Sequence, residues 1–204
     1  MAALLTKDYY TLTRQAKMFL LIIAVFAFIP GFALATMAVV YAAMLPMTAL
    51  AYDERAKWDS LAAMMPYSAR DLVMCKYVIG YIAVVLVSVV TVAVQTVMAA
   101  VKSTAIEPGM LASVLMSAGF SLILLAVNLP IMFRFGVEKG RIAFLVIFGA
   151  LGAVIAVTSD QLDVLIAGAA ESLGLGALVI FAAAVAVNVI SIAISVAWYK
   201  RNAR

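Results

Sequence analysis

Side chains that commonly perform chemistry in proteins are scarce in this sequence. Histidine is absent and Cys75 is the only cysteine, which excludes a His-based catalytic or metal site, a Cys-rich metal site and a disulfide within the chain. Inside the long apolar runs, the main polar side chains are the amides of Gln95, Asn128 and Asn188. Amides at such depth either bond neighbouring helices or line a path for a substrate, and the sequence leaves both interpretations open.

The same runs lack the groups that drive ion-coupled transport or catalysis. A secondary carrier or proton pump usually needs a buried carboxylate, histidine or basic side chain, and none lies within these runs. The sequence of residues 136–141, GVEKGR, does not match the phosphate-binding pattern GxxxxGK[ST], and no nucleophile stands beside a base. We therefore expect a chain that is not an enzyme and holds no metal or cofactor, so any energy must come from a partner.

The composition is typical of a membrane protein. Of the 204 residues, 68% are apolar and 12% are charged, and the mean hydropathy is +1.18. A soluble domain is about half apolar and about a quarter charged, so lipid must be the solvent for much of this surface. The net charge of +4 does not indicate nucleic-acid binding, because the basic residues border the apolar runs. The sequence predicts an all-α, polytopic membrane protein.

The apolar runs predict one transmembrane domain over residues 1–204 with six spans, at about 17–31, 33–51, 77–100, 110–133, 142–157 and 175–198. Pro30-Gly31 separates the first two spans, since one straight helix over both would be about 50 Å long, against a hydrocarbon core of about 30 Å. A cleaved signal peptide is less favoured, because the remaining chain would begin inside another apolar run.

The N-terminal residues 1–17 are expected to form an amphipathic helix that lies on the membrane surface. Apolar side chains recur there at helical spacing, at Leu5, Tyr9, Leu12 and Ala16. A frayed terminus is the alternative.

The distribution of charge predicts the orientation of the spans. Every Lys and Arg except Lys102 lies in the N-terminal tail, in 52–76, in 134–141 or at the C-terminus. The three remaining connections hold that lysine and four acids, namely Glu107, Asp160, Asp163 and Glu171. Basic residues concentrate on the cytoplasmic side of membranes, so we expect both termini to be cytoplasmic.

The most polar internal segment predicts a helix parallel to the membrane at about 53–65. Its apolar side chains form one stripe, at Trp58, Leu61, Ala62 and Met65, and its i,i+4 ion pairs are Asp53 with Lys57 and Arg55 with Asp59. Pro66 ends this helix, and Ser68 with Asp71 forms a capping box that begins the next one. Such a helix either docks into a groove on a cytosolic partner or rests on lipid and neighbouring spans.

The motifs of this segment resemble those of a small-permease family of ATP-binding-cassette exporters, found mainly in Gram-positive bacteria. The family pattern YDE-x-x-x-WD, then L-P-x-S-R and a Lys-Tyr pair, is similar to residues 52–59, 65–73 and 76–77. Residues 133–141, FRFGVEKGR, look like the second family motif, K/R-F-G-x-x-K-x-R, and residues 5–9 look like the L-x-K-D-F/Y opening. Met65 stands where the family often has Leu, and Ala69-Arg70 displaces the usual Ser-Arg by one residue.

This resemblance implies a permease of the bacterial plasma membrane that dimerises and binds two copies of a separate ATPase subunit, which carries ATP and magnesium. Relatives of this kind export amphipathic or antimicrobial peptides. The helix at 53–65 would be the first coupling helix, with Tyr52, Asp53, Glu54, Arg55, Trp58, Asp59, Leu61 and Met65. The second contact would be made by Arg134, Glu138, Lys139 and Arg141. The alternative function is a non-transporting membrane scaffold or immunity-type protein that binds a peptide or a partner.

Overall fold

The computed structural model describes residues 2–15, 17–28, 32–62, 64–101, 110–143, 145–146, 149 and 173–202, and every regular element in them is an α-helix. The helices are α1 (Ala2–Gln15), α2 (Lys17–Phe28), α3 (Phe32–Ala42), α4 (Leu45–Arg55), α5 (Trp58–Ala62), α6 (Ala69–Val101), α7 (Met110–Phe135) and α8 (Leu173–Asn202). Residues 137–143 are also helical. The prediction of an all-α fold is confirmed for this part of the chain.

Three of the described helices are long and apolar enough to cross a membrane. These candidate spans are Ala69–Val101, Leu111–Phe135 and Leu178–Arg201, which match the third, fourth and sixth predicted spans. The span in α7 is 61% buried, against 33% in α6 and 22% in α8, so α7 is the central helix of the bundle. Most of the fifth predicted span, and the Pro30-Gly31 break, lie outside the described residues.

The prediction of one continuous helix over 33–51 is wrong. Helix α3 ends at Ala42, two tight turns follow, and α4 begins at Leu45. The cause is Pro46, which has no N–H to donate to the carbonyl of Ala42 and whose ring collides with that carbonyl in a regular helix. The 12 described residues of α2 and the 11 of α3 span about 16–18 Å, against a hydrocarbon core of about 30 Å.

The predicted helix over 53–65 is also interrupted. Lys57 has a φ of +51°, and this left-handed residue ends α4 in the manner of a C-terminal cap. The short helix α5 then leaves at a new angle, and residues 64–66 form turns. The predicted pair of Asp53 with Lys57 does not form, because Asp53 is buried and bonds two other lysines. The second predicted pair involves Asp59, whose side chain lies outside the description.

The predicted capping box at the start of α6 is confirmed. The backbone N–H of Asp71 donates to Ser68 Oγ at 3.1 Å, and the N–H of Ser68 donates to Asp71 Oδ2 at 3.3 Å. These two bonds satisfy N–H groups that a helix start otherwise leaves unpaired. Because the cap lies at Ser68, α6 begins at Ala69, eight residues before the predicted start of the third span.

Hydroxyl and amide groups link the three long helices. Tyr77 Oη on α6 is 2.6 Å from Ser191 Oγ and 2.8 Å from Ser195 Oγ on α8, and Ser191 Oγ also donates to the carbonyl of Ala126 on α7. All three of these polar side chains are buried. In a membrane such bonds are worth about 0.6 kcal/mol each on average, so they fix the register of the helices as much as they stabilise them.

Helices α4, α6 and α7 approach closely at Gly80. A Cβ at this position would lie 2.1 Å from Leu125 Cδ1 and 2.9 Å from Pro46 Cγ. The absence of a side chain therefore lets the proline of α4 and the leucine of α7 meet the backbone of α6.

Gly80→Ala is expected to destabilise the protein by about 1 kcal/mol or more, because Leu125 and the rigid Pro46 ring must both move. Gly149→Ala is the matched control, since Gly149 is helical and a Cβ there meets no atom of the described residues within 4 Å. The control should be neutral or up to about 1 kcal/mol more stable, from helix propensity alone. Unfolding in detergent by SDS titration measures both variants, and equal effects would contradict the close approach.

Candidate functional site

The segments that carry the basic residues meet at one end of the helix bundle, called here the basic end. Lys7 of α1 bonds Asp53 of α4, and Glu54 bonds the backbone of Val137. The end of α8 joins them, because the rings of Phe133 and Tyr199 are in edge contact with centroids 5.7 Å apart. The charge pattern that gave the predicted orientation thus corresponds to one contiguous region of the structure.

The centre of the basic end is an ion quartet formed by Lys7, Asp8, Asp53 and Lys76. Lys76 Nζ lies 2.6 Å from Asp8 Oδ2 and 2.5 Å from Asp53 Oδ2, and Lys7 Nζ lies 2.6 Å from Asp53 Oδ1 and 2.8 Å from Asp8 Oδ1. Each cation therefore contacts both anions. Because α1, α4 and α6 each contribute to this ring of alternating charge, it connects three elements that are far apart in the sequence.

The quartet determines which face of α1 is turned inward. Leu4, Asp8 and Leu12 are buried and lie at i, i+4 and i+8, whereas Tyr9 is 64% exposed. Of the predicted apolar face, Leu12 packs on the bundle and Leu5 is half-buried, but Tyr9 does not pack there, so the inward face is rotated toward Leu4 and Asp8. The reason is that the ion pairs of Asp8 with Lys76 and Lys7 stabilise this orientation of α1 more than burial of the Tyr9 ring would. Tyr9 instead faces outward, where an aromatic side chain suits a membrane interface.

Three members of the quartet are buried, Lys7 is partly exposed, and the four formal charges sum to zero. Asp8 is 1% exposed and Lys76 5% exposed, and removing one partner of such a cluster typically costs about 3–5 kcal/mol because an unpaired charge stays buried. Burial alone would lower the pKa of Lys7, but its hydrogen bonds to Asp53 and Asp8 outweigh this and raise that pKa above its ordinary value. Lys7 therefore stays charged at neutral pH.

Trp58 is positioned by the same cluster. The left-handed turn at Lys57 directs the chain back toward α1, and Lys7 Nζ lies 4.2 Å from the centroid of the Trp58 ring. A cation at this distance from an aromatic face is attracted by the ring quadrupole. Lys7 thus contacts two carboxylates and the first residue of α5 at once.

Glu54 connects the two motif segments of the chain. Its Oε2 accepts a hydrogen bond of 2.8 Å from the backbone N–H of Val137, at the start of the helical residues 137–143. A carboxylate suits this position, because the first N–H groups of a helix are unpaired and carry partial positive charge. Gly136, with a φ of +80°, forms the turn that separates this segment from α7.

A cavity of about 510 Å³ opens beside the ion quartet. Its other walls are mostly apolar and aromatic, including Leu4 of α1, Trp58 of α5, Met65 of the turn after α5, Phe133 of α7 and Tyr199 of α8. Within the described residues, no cluster of His, Cys, Asp or Glu could hold a metal ion. The arrangement suits contact with another macromolecule better than catalysis, since its charges are already paired with one another.

The other predicted coupling residues are mostly on the surface of the basic end. Tyr52 and Trp58 are half-buried, and Leu61 and Met65 are exposed, at 48% and 40%. The exposed charged residues are Glu54, Arg55, Arg134, Glu138, Lys139 and Arg141. Arg134 lies over the rings of Trp198 and Phe135, at 4.8 and 5.0 Å. Asp53 differs from the rest, because both of its carboxylate oxygens are bonded to lysines in the interior.

The three amides of the apolar runs do not come together. Asn188 Nδ2 donates to the carbonyls of Leu122 and Ala184, and its Oδ1 accepts from Tyr81, so it bonds neighbouring helices. Gln95 lies 14 residues beyond Tyr81 on α6, about 21 Å along the axis. Asn128 lies six residues beyond Leu122, about 9 Å along α7, and its Nδ2 has no hydrogen-bond partner among the described residues.

The site includes three residues that the sequence reasoning did not select as functional, namely Lys7, Asp8 and Lys76. Lys7 is 46 positions from Asp53, and Asp8 is 68 positions from Lys76, so no local spacing rule relates these partners. A usable signal was present nonetheless, because an acid within a basic tail and a lysine at the edge of an apolar run both call for a compensating charge.

Glu54→Ala is expected to lower the protection of the amides of residues 137–143 by an amount equivalent to about 1 kcal/mol, as for loss of a helix cap. Glu54→Gln keeps an acceptor oxygen, so the protection of the same amides should fall by about half as much as in Glu54→Ala. Hydrogen exchange in detergent measures this, and Arg55→Ala is the control because Arg55 is the exposed neighbour of Glu54. Equal protection in Glu54→Ala and wild type would show that the bond contributes nothing.

Comparison with known proteins identifies the family of this chain. The model of the ABC-2 family transporter proteins matches residues 3–200. No curated protein and no solved structure matches the chain. A match over nearly the whole chain establishes a transport subunit of the membrane and implies an ATPase partner subunit. The chain belongs to the ABC-2 family of transporter proteins.

Proposed function

We propose that this chain is the permease subunit of an exporter of the plasma membrane, that two copies form the translocation path, and that two ATPase subunits drive it from the cytoplasm. The cargo class that fits best is an amphipathic or antimicrobial peptide or a similarly hydrophobic molecule. Family membership supplies the permease and the ATPase partner. The copy numbers, the direction of transport and the cargo are the proposal.

The observation that carries this proposal is the composite surface at the basic end. The end of α4, just before α5, is linked to residues 134–141 by the bond between Glu54 and Val137. Around this link are exposed side chains of both signs and three exposed apolar ones, Leu61, Met64 and Met65. Apolar side chains surrounded by charge are characteristic of protein–protein contacts. An ATPase subunit that binds here would contact both segments at once.

The exposed faces of α6 and α8 support the second part of the proposal. Both helices present long rows of apolar side chains to the outside, among them Ile82, Val85 and Val89 on α6 and Val185, Val189 and Ile190 on α8. Lipid covers part of this surface, and a second copy would cover the remainder. A path between two such faces would have apolar walls, which suits a hydrophobic cargo. Of the three candidate amides, the half-buried Gln95 could lie along it, whereas Asn128 and Asn188 are buried within the subunit.

The experiment that tests this function is co-purification of the tagged chain from its native membrane, followed by identification of bound proteins and an ATPase assay. A stoichiometric ATPase subunit whose hydrolysis depends on this chain is the expected result. Recovery of the chain alone would contradict the proposal and favour a membrane scaffold or immunity-type protein, provided that the same detergent retains a known exporter complex.

Trp58→Ala is expected to reduce the co-purified ATPase subunit by about tenfold or more, since buried tryptophans at interface centres are typical hot spots. Trp58→Phe keeps an aromatic face beneath Lys7 and should retain most of the partner. Leu111→Ala is the control, because Leu111 is 70% exposed at the end of α7 opposite the basic end. Normal partner content and ATPase activity in Trp58→Ala would remove Trp58 from the coupling residues.

The orientation with both termini in the cytoplasm predicts which engineered cysteines react from outside. A cysteine in place of Ser103, within the predicted outer connection 102–109, should be labelled by a membrane-impermeant maleimide on intact cells. A cysteine in place of Lys200 should be labelled only after permeabilisation. Native Cys75 is buried and serves as the background. The reverse labelling pattern would contradict the orientation.

A further inference from the structure

The ion quartet links the elements nearest the proposed ATPase surface to the membrane helices. Asp53 is the neighbour of Glu54 in α4, and Lys7 contacts both Asp53 and the ring of Trp58. On the opposite side of the ion quartet, Lys76 lies in the first turns of α6, the longest candidate span. A displacement of α5 that reaches α6 through the quartet is therefore transmitted by ion pairs of 2.5–2.8 Å.

Helix α5 has little else to hold it. It contains five residues, too few for a stable helix by itself, and turns at residues 56–57 and 64–66 separate it from α4 and α6, so it continues neither helix. The packing of Trp58 beneath Lys7 and the burial of Ala62 are its described inward contacts. Its position consequently depends on where Lys7 is held, and Lys7 is held by Asp8 and Asp53.

We infer that Lys7, Asp8, Asp53 and Lys76 form a joint that positions α5 for the ATPase subunit and makes α1, α4, α5 and the start of α6 move together. This inference rests on the proposed function. Asp8 and Lys76 are thereby positioning residues, since both are buried and act through Lys7 and Asp53 without touching the partner. Motion of the ATPase subunit against α5 would reach the membrane through Lys76.

The asymmetry between single and paired substitutions provides the test. Lys76→Met leaves two carboxylates with one lysine in a buried site, which is strongly unfavourable, whereas Lys76→Met with Asp53→Leu removes one charge of each sign and keeps the site neutral. Tyr77→Phe is the matched control, because it removes a buried polar contact from the neighbouring residue of the same helix. Lys200→Met controls for the loss of an exposed lysine.

The first measurement is hydrogen exchange of the isolated chain in lipid nanodiscs. In Lys76→Met, amides of α1 and α5 should exchange about tenfold faster, and those of α7 and α8 should be unchanged, as expected for opening of a local unit. The paired variant should restore most of the protection. Unchanged exchange in α1 and α5 of Lys76→Met would overturn the inference. Should Lys76→Met not fold, Lys7→Met is the milder variant, because Lys7 is partly exposed.

The second measurement is the affinity of the ATPase subunit recovered by co-purification for each variant in nanodiscs. The Kd should rise about tenfold in Lys76→Met, return to within about threefold of wild type in the paired variant, and stay unchanged in Tyr77→Phe and Lys200→Met. Faster exchange of α5 with an unchanged Kd would overturn the positioning role. If the wild-type chain binds no ATPase subunit, the proposed function fails and the inference fails with it, whatever the exchange shows.

Discussion

Charged side chains that are buried or partly buried at the edge of the membrane bundle must compensate one another's charges. Lys7, Asp8, Asp53 and Lys76 meet this requirement as a ring in which each cation contacts both anions. Other local features depend on it. The inward face of α1 is the one that carries Asp8, and the turn at Lys57 brings Trp58 beneath Lys7. The cost of leaving one of these charges unpaired exceeds the cost of either adjustment.

Apolar packing brings the same elements together further along the helices. Gly80 allows Pro46 of α4 and Leu125 of α7 to contact the backbone of α6, which places α4 where Asp53 can reach Lys76. Between the quartet and this contact, Tyr77 and the serines of α8 hold the long helices in register. The close contact of α4, α6 and α7 at Gly80 therefore supports the basic end and holds the helices that carry its exposed residues.

The parts of the fold that the sequence predicted correctly follow from local rules. The capping box of Ser68 and Asp71 is a short-range pattern, and the helices at the third, fourth and sixth predicted spans follow from length and hydropathy. The errors have equally definite causes. Hydropathy does not register that Pro46 interrupts a run that is apolar throughout. The i,i+4 rule paired Asp53 with Lys57, but a lysine 46 residues away and another 23 residues away are its actual partners. Long-range pairing of charges cannot be read from one sequence, so Asp8 and Lys76 were not recognised.

The most direct test of this account is a double-mutant cycle on Asp8 and Lys76, with the free energy of unfolding measured by SDS titration in detergent. Asp8→Asn and Lys76→Met should each cost about 3 kcal/mol or more. The double variant should cost less than their sum by about 1–3 kcal/mol, because the second substitution removes the charge that the first left unpaired. Additivity within about 0.5 kcal/mol would mean that the two side chains are not coupled, and the quartet would then not be the constraint that organises the basic end.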